Sequence, residues 1–163
     1  MAKHLKVGDV APAFSLMDQN GNMVDVGQME GKRALVVYFY PKDFSTGCTM
    51  QAHEFREMHE EFLKNGADVI GVSSDSVESH KRFAEEHELP FTLLSDPDNK
   101  VRDLYGAWGA GRTPGLITYL IDRQGVIRMV FTSQMKPRKH ISEALRVLKE
   151  INARLGFLLD VGL

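Results

Sequence analysis

Ala34 to Phe62, ALVVYFYPKDFSTGCTMQAHEFREMHEEF, decides the fold. Its first seven residues are an unbroken β-branched and aromatic run, the pattern of a strand covered on both faces, and Pro41 ends it. Such a strand belongs at the centre of a sheet. Cys48 stands where a helical pattern opens: Ala52, Phe55, Met58 and Phe62 recur at helical spacing, and Asn65-Gly66 supplies the stop. Downstream, Val69 to Ser73 reads as the next strand, Asp75 or Ser76 caps a helix running to about His87, and Phe91 to Leu94 makes a short strand before a helical turn over Asn99 to Tyr105. The order then changes. Leu116 to Asp122 and Val126 to Thr132 are strand-like and separated by a Gln124-Gly125 turn, so they pair antiparallel. A last helix starts near Pro137 with Ile141, Leu145, Leu148 and Ile151 on one face. Upstream, Phe14 to Met17 and Met23 to Val26 flank Asn20-Gly21, a dipeptide that tolerates the positive φ of a tight hairpin. The class is α/β: a mixed central sheet with helices on both faces and an N-terminal β-hairpin.

The 163 residues suit one domain, spanning 1–163, with Gly156 to Leu163 (GFLLDVGL) as an apolar C-terminal tail expected to dock on the domain or on a partner subunit. With 43% hydrophobic and 26% charged residues the balance is that of a globular protein. A net charge of -2 gives no electrostatic footprint for nucleic acid or an anionic membrane. No apolar run approaches the ~20 residues that span a bilayer. Met1 to Val10 lack the pattern of a secretory signal, so a cytoplasmic location is the default expectation.

One cysteine excludes an intrachain disulfide, a CxxC pair and a thiolate metal cluster. A lone cysteine is often only a small buried hydrophobe. Cys48, however, opens a helix, where unpaired N–H groups and the positive end of the helix dipole are expected to favour thiolate over thiol. Ser45, three residues earlier, can return its hydroxyl across the same turn, and Pro41 cannot donate a backbone hydrogen bond. Taken singly, Ser45 is equally a helix cap and Pro41 a strand terminator. His4, His59, His80, His87 and His140 form no metal-ligand spacing, and neither a metal nor another cofactor is expected. A dithiol exchanger is disfavoured, since in Ser45-Thr46-Gly47-Cys48 a hydroxyl stands where the first thiol belongs.

The stretch Tyr38 to Phe55, YFYPKDFSTGCTMQAHEF, resembles the active-site segment of peroxiredoxins, in particular the peroxiredoxin Q or bacterioferritin comigratory protein subfamily. Its signature of Pro, three residues, Thr or Ser, two residues and Cys is met by Pro41, Ser45 and Cys48. The likeness continues through VIGVSSDSVESHKRF, LPFTLLSDPDNKVRDLYGAWG, TYLIDRQGVIR and SQMKPRKHISEALRVLK, from about Gly8 to Lys149. It implies a thioredoxin-like fold and an antioxidant thiol peroxidase reaction on hydrogen peroxide and organic hydroperoxides. Cys48 would be the peroxide-reactive thiolate, with Ser45 and the N–H groups of Gly47 and Cys48 stabilising the peroxide oxygens.

Two departures from the family pattern stand out. Many members carry a resolving cysteine five residues after the first, where this chain has His53, so the resemblance implies a one-cysteine mechanism restored by an external thiol: thioredoxin, glutaredoxin or a small thiol. Members also carry an arginine before the Thr-Tyr of the late strand, where this chain has Leu116. Arg112, on the Gly-rich loop upstream, is the candidate replacement. The alternative that follows from Leu116 is a redox sensor or binding protein with little turnover. A monomer or weak homodimer is expected.

Overall fold

The computed structural model describes residues 5–27 and 33–160. In chain order the elements are β1 (Phe14–Asp18), β2 (Met23–Val26), β3 (Ala34–Phe39), α1 (Thr46–Lys64), β4 (Ala67–Ser73), α2 (Val77–Glu86), β5 (Thr92–Ser95), α3 (Lys100–Tyr105), β6 (Ile117–Ile121), β7 (Ile127–Thr132) and α4 (Lys139–Asp160). They build one seven-stranded sheet in the order β2-β1-β5-β4-β3-β6-β7. Strands β3, β4 and β5 run parallel, β6 and β7 continue antiparallel from β3, and the β1–β2 hairpin adds antiparallel to β5. The hairpin turns at Gly21, whose φ of +80° is the left-handed conformation expected there.

β3 has β4 on one side and β6 on the other, and all six of its residues are buried. Its side chains alternate between two cores. Ala34, Val36, Tyr38 and, just beyond the strand, Tyr40 join a cluster with Cys48, Ala52, Phe55 and Phe62 of α1, Phe83 of α2 and Ile141, Leu145 and Leu148 of α4. Leu35, Val37 and Phe39 join the other with Val101 and Tyr105 of α3 and Ala107. Three helices therefore cover one face, and the short α3 shares the opposite face with loop segments. α2 is capped by Ser76, whose hydroxyl accepts from the Ser79 N–H at 3.1 Å. α4 runs through Asp160, into the segment expected as a tail; the docking of 156–163 and the end of the chain lie outside what is described.

Close backbone approach at Gly71 of β4 sets the packing beneath the first turns of α1. A Cβ there would lie 2.8 Å from the Tyr38 ring and 2.9 Å from Leu93. Tyr38 in turn stacks on Phe55 and Tyr40, with ring centroids 4.5 and 5.4 Å apart. Gly71→Ala is expected to destabilise the fold by about 1–3 kcal/mol through overpacking, read as a lower denaturant midpoint at unchanged m. An unshifted midpoint would mean that the ring moves aside freely.

Candidate active site

Beyond β3 the backbone at Pro41 has no N–H to extend a ladder. The chain turns through Lys42 to Ser45, with Phe44 at a φ of 68°. The turn is pinned from inside by Asp43, a residue only 2% exposed. Its carboxylate accepts from the Tyr40 hydroxyl (2.6 Å) and the Ser79 hydroxyl (2.8 Å) and pairs with His80 Nδ1 (2.7 Å). His80 Nε2 meets the Leu94 carbonyl at 3.0 Å. The Asp43 N–H donates to Asp75, which also accepts from the Ser73 hydroxyl. Asp43, Asp75 and His80 bring potential ligand atoms within 4.8 Å of one another. Those atoms are committed to this hydrogen-bond network, which ties the turn to β4, α2 and β5.

So held, the turn delivers Ser45 to the position preceding α1 and Cys48 to the helix's first turn. Ser45 makes no side-chain cap; its hydroxyl lies 3.1 Å from the Lys42 carbonyl and is near enough to the Cys48 sulfur to favour its charged form. With a single hydroxyl hydrogen, Ser45 donates to one of these acceptors at a time. The N–H groups of Thr46, Gly47 and Cys48 precede the helical ladder, whose first bond runs from Thr49 N–H to the Ser45 carbonyl at 2.9 Å. Cys48 is 3% exposed. Burial pushes its thiol above the ordinary value, Ser45 and a backbone hydrogen bond from Lys42 pull it back, and the negative charges of Asp43 and Asp75 push it up again. Desolvation and the two carboxylates thus oppose the thiolate that the helix start and these hydrogen bonds favour.

Arg112 does not serve the sulfur. Its guanidinium pairs with Asp103 at 3.2 Å, stacks over Trp108 at 4.7 Å from the ring centroid, and is half exposed. The loop folds onto the end of α3 rather than back over α1. A different arginine reaches the interior: Arg102 of α3, 1% exposed, donates to the carbonyls of Tyr40 (2.6 Å), Ala107 (2.9 Å) and Gly115 (3.3 Å). His53, at the resolving-cysteine position, meets His87 across α1 and α2 at 2.9 Å. Burial and the neighbouring Arg56 and His87 hold its proton affinity down. Leu116 is buried in the same core cluster as Cys48.

Residues 7–130, well over half of the chain, match the AhpC/TSA family. The chain belongs to this family of peroxiredoxins. It is 48% identical over 146 residues to a chloroplastic peroxiredoxin Q of Sedum lineare, covering 88% of this chain and 78% of that one. To the chloroplastic peroxiredoxin Q of Arabidopsis thaliana it is 49% identical over 144 residues, 87% of this chain and 66% of the other. Among solved structures, peroxidoxin BcpB of Mycobacterium tuberculosis superposes with a TM-score of 0.84 at 31% identity, covering 91% and 99% of the two chains. The bacterioferritin comigratory protein of Xanthomonas campestris, studied for alkyl peroxide reduction, gives 0.77 at 28% identity over 84% and 90%.

The fold is thus thioredoxin-like, and the chain is a thiol-dependent peroxidase of the peroxiredoxin Q type with one cysteine. The cytoplasmic expectation is overturned by these relatives, which are named chloroplastic. Of the residues singled out in the peroxiredoxin motif, Pro41, Ser45, Gly47 and Cys48 are gathered at one turn: Pro41 lies between Tyr40, which shares a core cluster with Cys48, and Lys42, whose backbone bonds the sulfur. The Asp43–His80 network and Arg102 carry no signal of nearby spacing, because the contacts that tie them to other elements are distant in sequence: Asp43 reaches Ser79 and His80 36 and 37 residues on, and Arg102 reaches Tyr40 62 residues back.

Proposed function

We propose that the Cys48 thiolate attacks one oxygen of a hydroperoxide, forming an S–O bond as the O–O bond breaks, and that the leaving oxygen takes up a proton as water or alcohol. The observation that supports it is the lone sulfur in the first turn of α1, within hydrogen-bond reach of Ser45 and beside N–H groups that the helix does not use. In the thiol form the Ser45 hydroxyl is satisfied by the Lys42 carbonyl; as charge builds on sulfur or on the peroxide, the same hydrogen swings to it. Pro41 keeps a backbone donor away from that corner.

The sulfenic acid is then attacked by an external thiol, losing water to give a mixed disulfide, and a second thiol releases Cys48 and an external disulfide. Thioredoxin, glutaredoxin and small thiols fit this step, because His53 offers no sulfur to close an internal bond. A monomer or weak homodimer suffices, since every group invoked comes from one chain. The sensor alternative loses ground because the sulfur sits in a preformed polar turn of an enzyme family.

One equivalent of peroxide added without reductant is expected to raise the intact mass by one oxygen and to give a monomer trapped by a sulfenate reagent, with at most a minor disulfide-linked dimer. Excess peroxide carries it to sulfinic and sulfonic forms that thiols do not recover. With a panel of thiols, peroxide consumption should continue over many turnovers. Consumption that stops at one equivalent with every thiol identifies a sensor, and full thiol recovery after a large peroxide excess rules out the one-cysteine cycle.

A further inference from the structure

Arg102 presents an unusual electrostatic problem. A guanidinium taken out of water is costly unless something negative or strongly polar answers it, and this one is 1% exposed. Its hydrogen bonds go to neutral acceptors: Asn99 Oδ1 and the carbonyls of Ala107, Gly115 and Tyr40. The carboxylate that acts on it electrostatically, Asp96, spends its oxygens on the N–H groups of Val101 and Arg102 rather than on the guanidinium. The other groups whose ionised forms it would stabilise are the Cys48 sulfur and the Tyr119 phenol.

The side chain is also held rigidly. Four hydrogen bonds fix the fork, and the rings of Phe39 and Trp108 lie 5.7 Å from its central carbon. Nη2 gives one hydrogen to the Tyr40 carbonyl and keeps another. The anchoring carbonyls are those immediately before Pro41 and immediately before Leu116, and Tyr40 and Leu116 both share the core cluster of Cys48. A fixed positive charge therefore sits on the carbonyl next to Pro41, where the turn that carries Cys48 begins.

We propose that Arg102 is the cation of the peroxidase site, stabilising negative charge on the Cys48 sulfur and on the peroxide oxygen during attack. The inference rests on the Cys48 reading above. Burial draws Arg102 down to about 10, so it remains charged at neutral pH. At Cys48 desolvation is the largest influence, and the charges of Asp43 and Asp75 add to it. Arg102 offsets those carboxylates, and Ser45 adds the local hydrogen bond.

The test reads Cys48 ionisation directly, through thiolate absorbance and iodoacetamide alkylation across pH, so it needs no turnover. Arg102→Gln is expected to raise the thiol midpoint by about 1–3 units and to slow peroxide reduction at neutral pH roughly tenfold or more, with much of the rate recovered above the new midpoint. Arg102→Lys should restore part of the shift. Arg112→Ala, an equal loss of charge at an exposed site, should leave the midpoint in place. A folded Arg102→Gln protein with the wild-type midpoint overturns the proposal. Wild-type protein gives a second reading that no folding defect can obscure: the Arg102 Nε–H resonance should move at the Cys48 midpoint and lose that step in Cys48→Ser. An Arg102 resonance indifferent to Cys48 ionisation also overturns it.

Discussion

Cys48→Ser is expected to reduce peroxide consumption to below about one per cent of wild type while the folded structure persists. The two side chains are nearly isosteric, and Ser45 and the Lys42 backbone can still hydrogen-bond an oxygen at that place. What disappears is the nucleophile. A serine hydroxyl needs a base within hydrogen-bond reach to attack anything at neutral pH, and the nearby candidates are engaged: His80 binds Asp43 through Nδ1 and the Leu94 carbonyl through Nε2, and Asp43 is filled by three partners. Steady-state peroxide loss with a thiol reductant, beside circular dichroism of the same sample, decides it. Activity above a few per cent in a folded Cys48→Ser protein would remove Cys48 from the centre of the reaction.

The sheet was legible because its central strand is covered on both faces and therefore shows no polar alternation. ALVVYFY ends at Pro41 in the sequence and at Phe39 in the structure, with Tyr40 still buried and bonded by its N–H to Val72. The hairpin at Asn20-Gly21 and the pairing of β6 with β7 were legible for a similar reason, since local turn chemistry sets their register. Cys48 and Ser45 could be read because both lie on one turn. Arg102 could not: nothing distinguishes an arginine inside KVRDLY from a solvated one, and its strongest anchor, the Tyr40 carbonyl, is 62 residues away. Arg112 drew attention through its nearness to Leu116 in sequence, whereas Asp103 and the Trp108 ring hold it elsewhere. A helix start is visible in sequence, whereas the desolvation of the thiol and the approach of Asp43 and Asp75 are tertiary facts.

Asp43→Ala should lower the folding free energy by about 3–5 kcal/mol, the usual cost of removing one member of a buried pair and leaving its partners without an acceptor. Tyr40, Ser79 and His80 would each lose a bond shorter than 3 Å, and the turn between β3 and α1 would lose its link to α2. Unfolding in denaturant, alone and combined with His80→Ala, measures this. The double variant is expected to cost clearly less than the two singles together, because each removes the same contact. In the fraction that remains folded, the thiol should move the other way. Asp43 pushes the Cys48 thiol up, so deleting its charge shifts the equilibrium towards thiolate, and alkylation below the wild-type midpoint should be faster. Loss of stability and gain of thiolate would then appear in one variant, which separates the structural role of Asp43 from its field at the sulfur. A cost below about 1 kcal/mol, the worth of a single ordinary hydrogen bond, would mean that the network does not hold the turn, and slower alkylation would mean that Asp43 acts on Cys48 through position rather than charge.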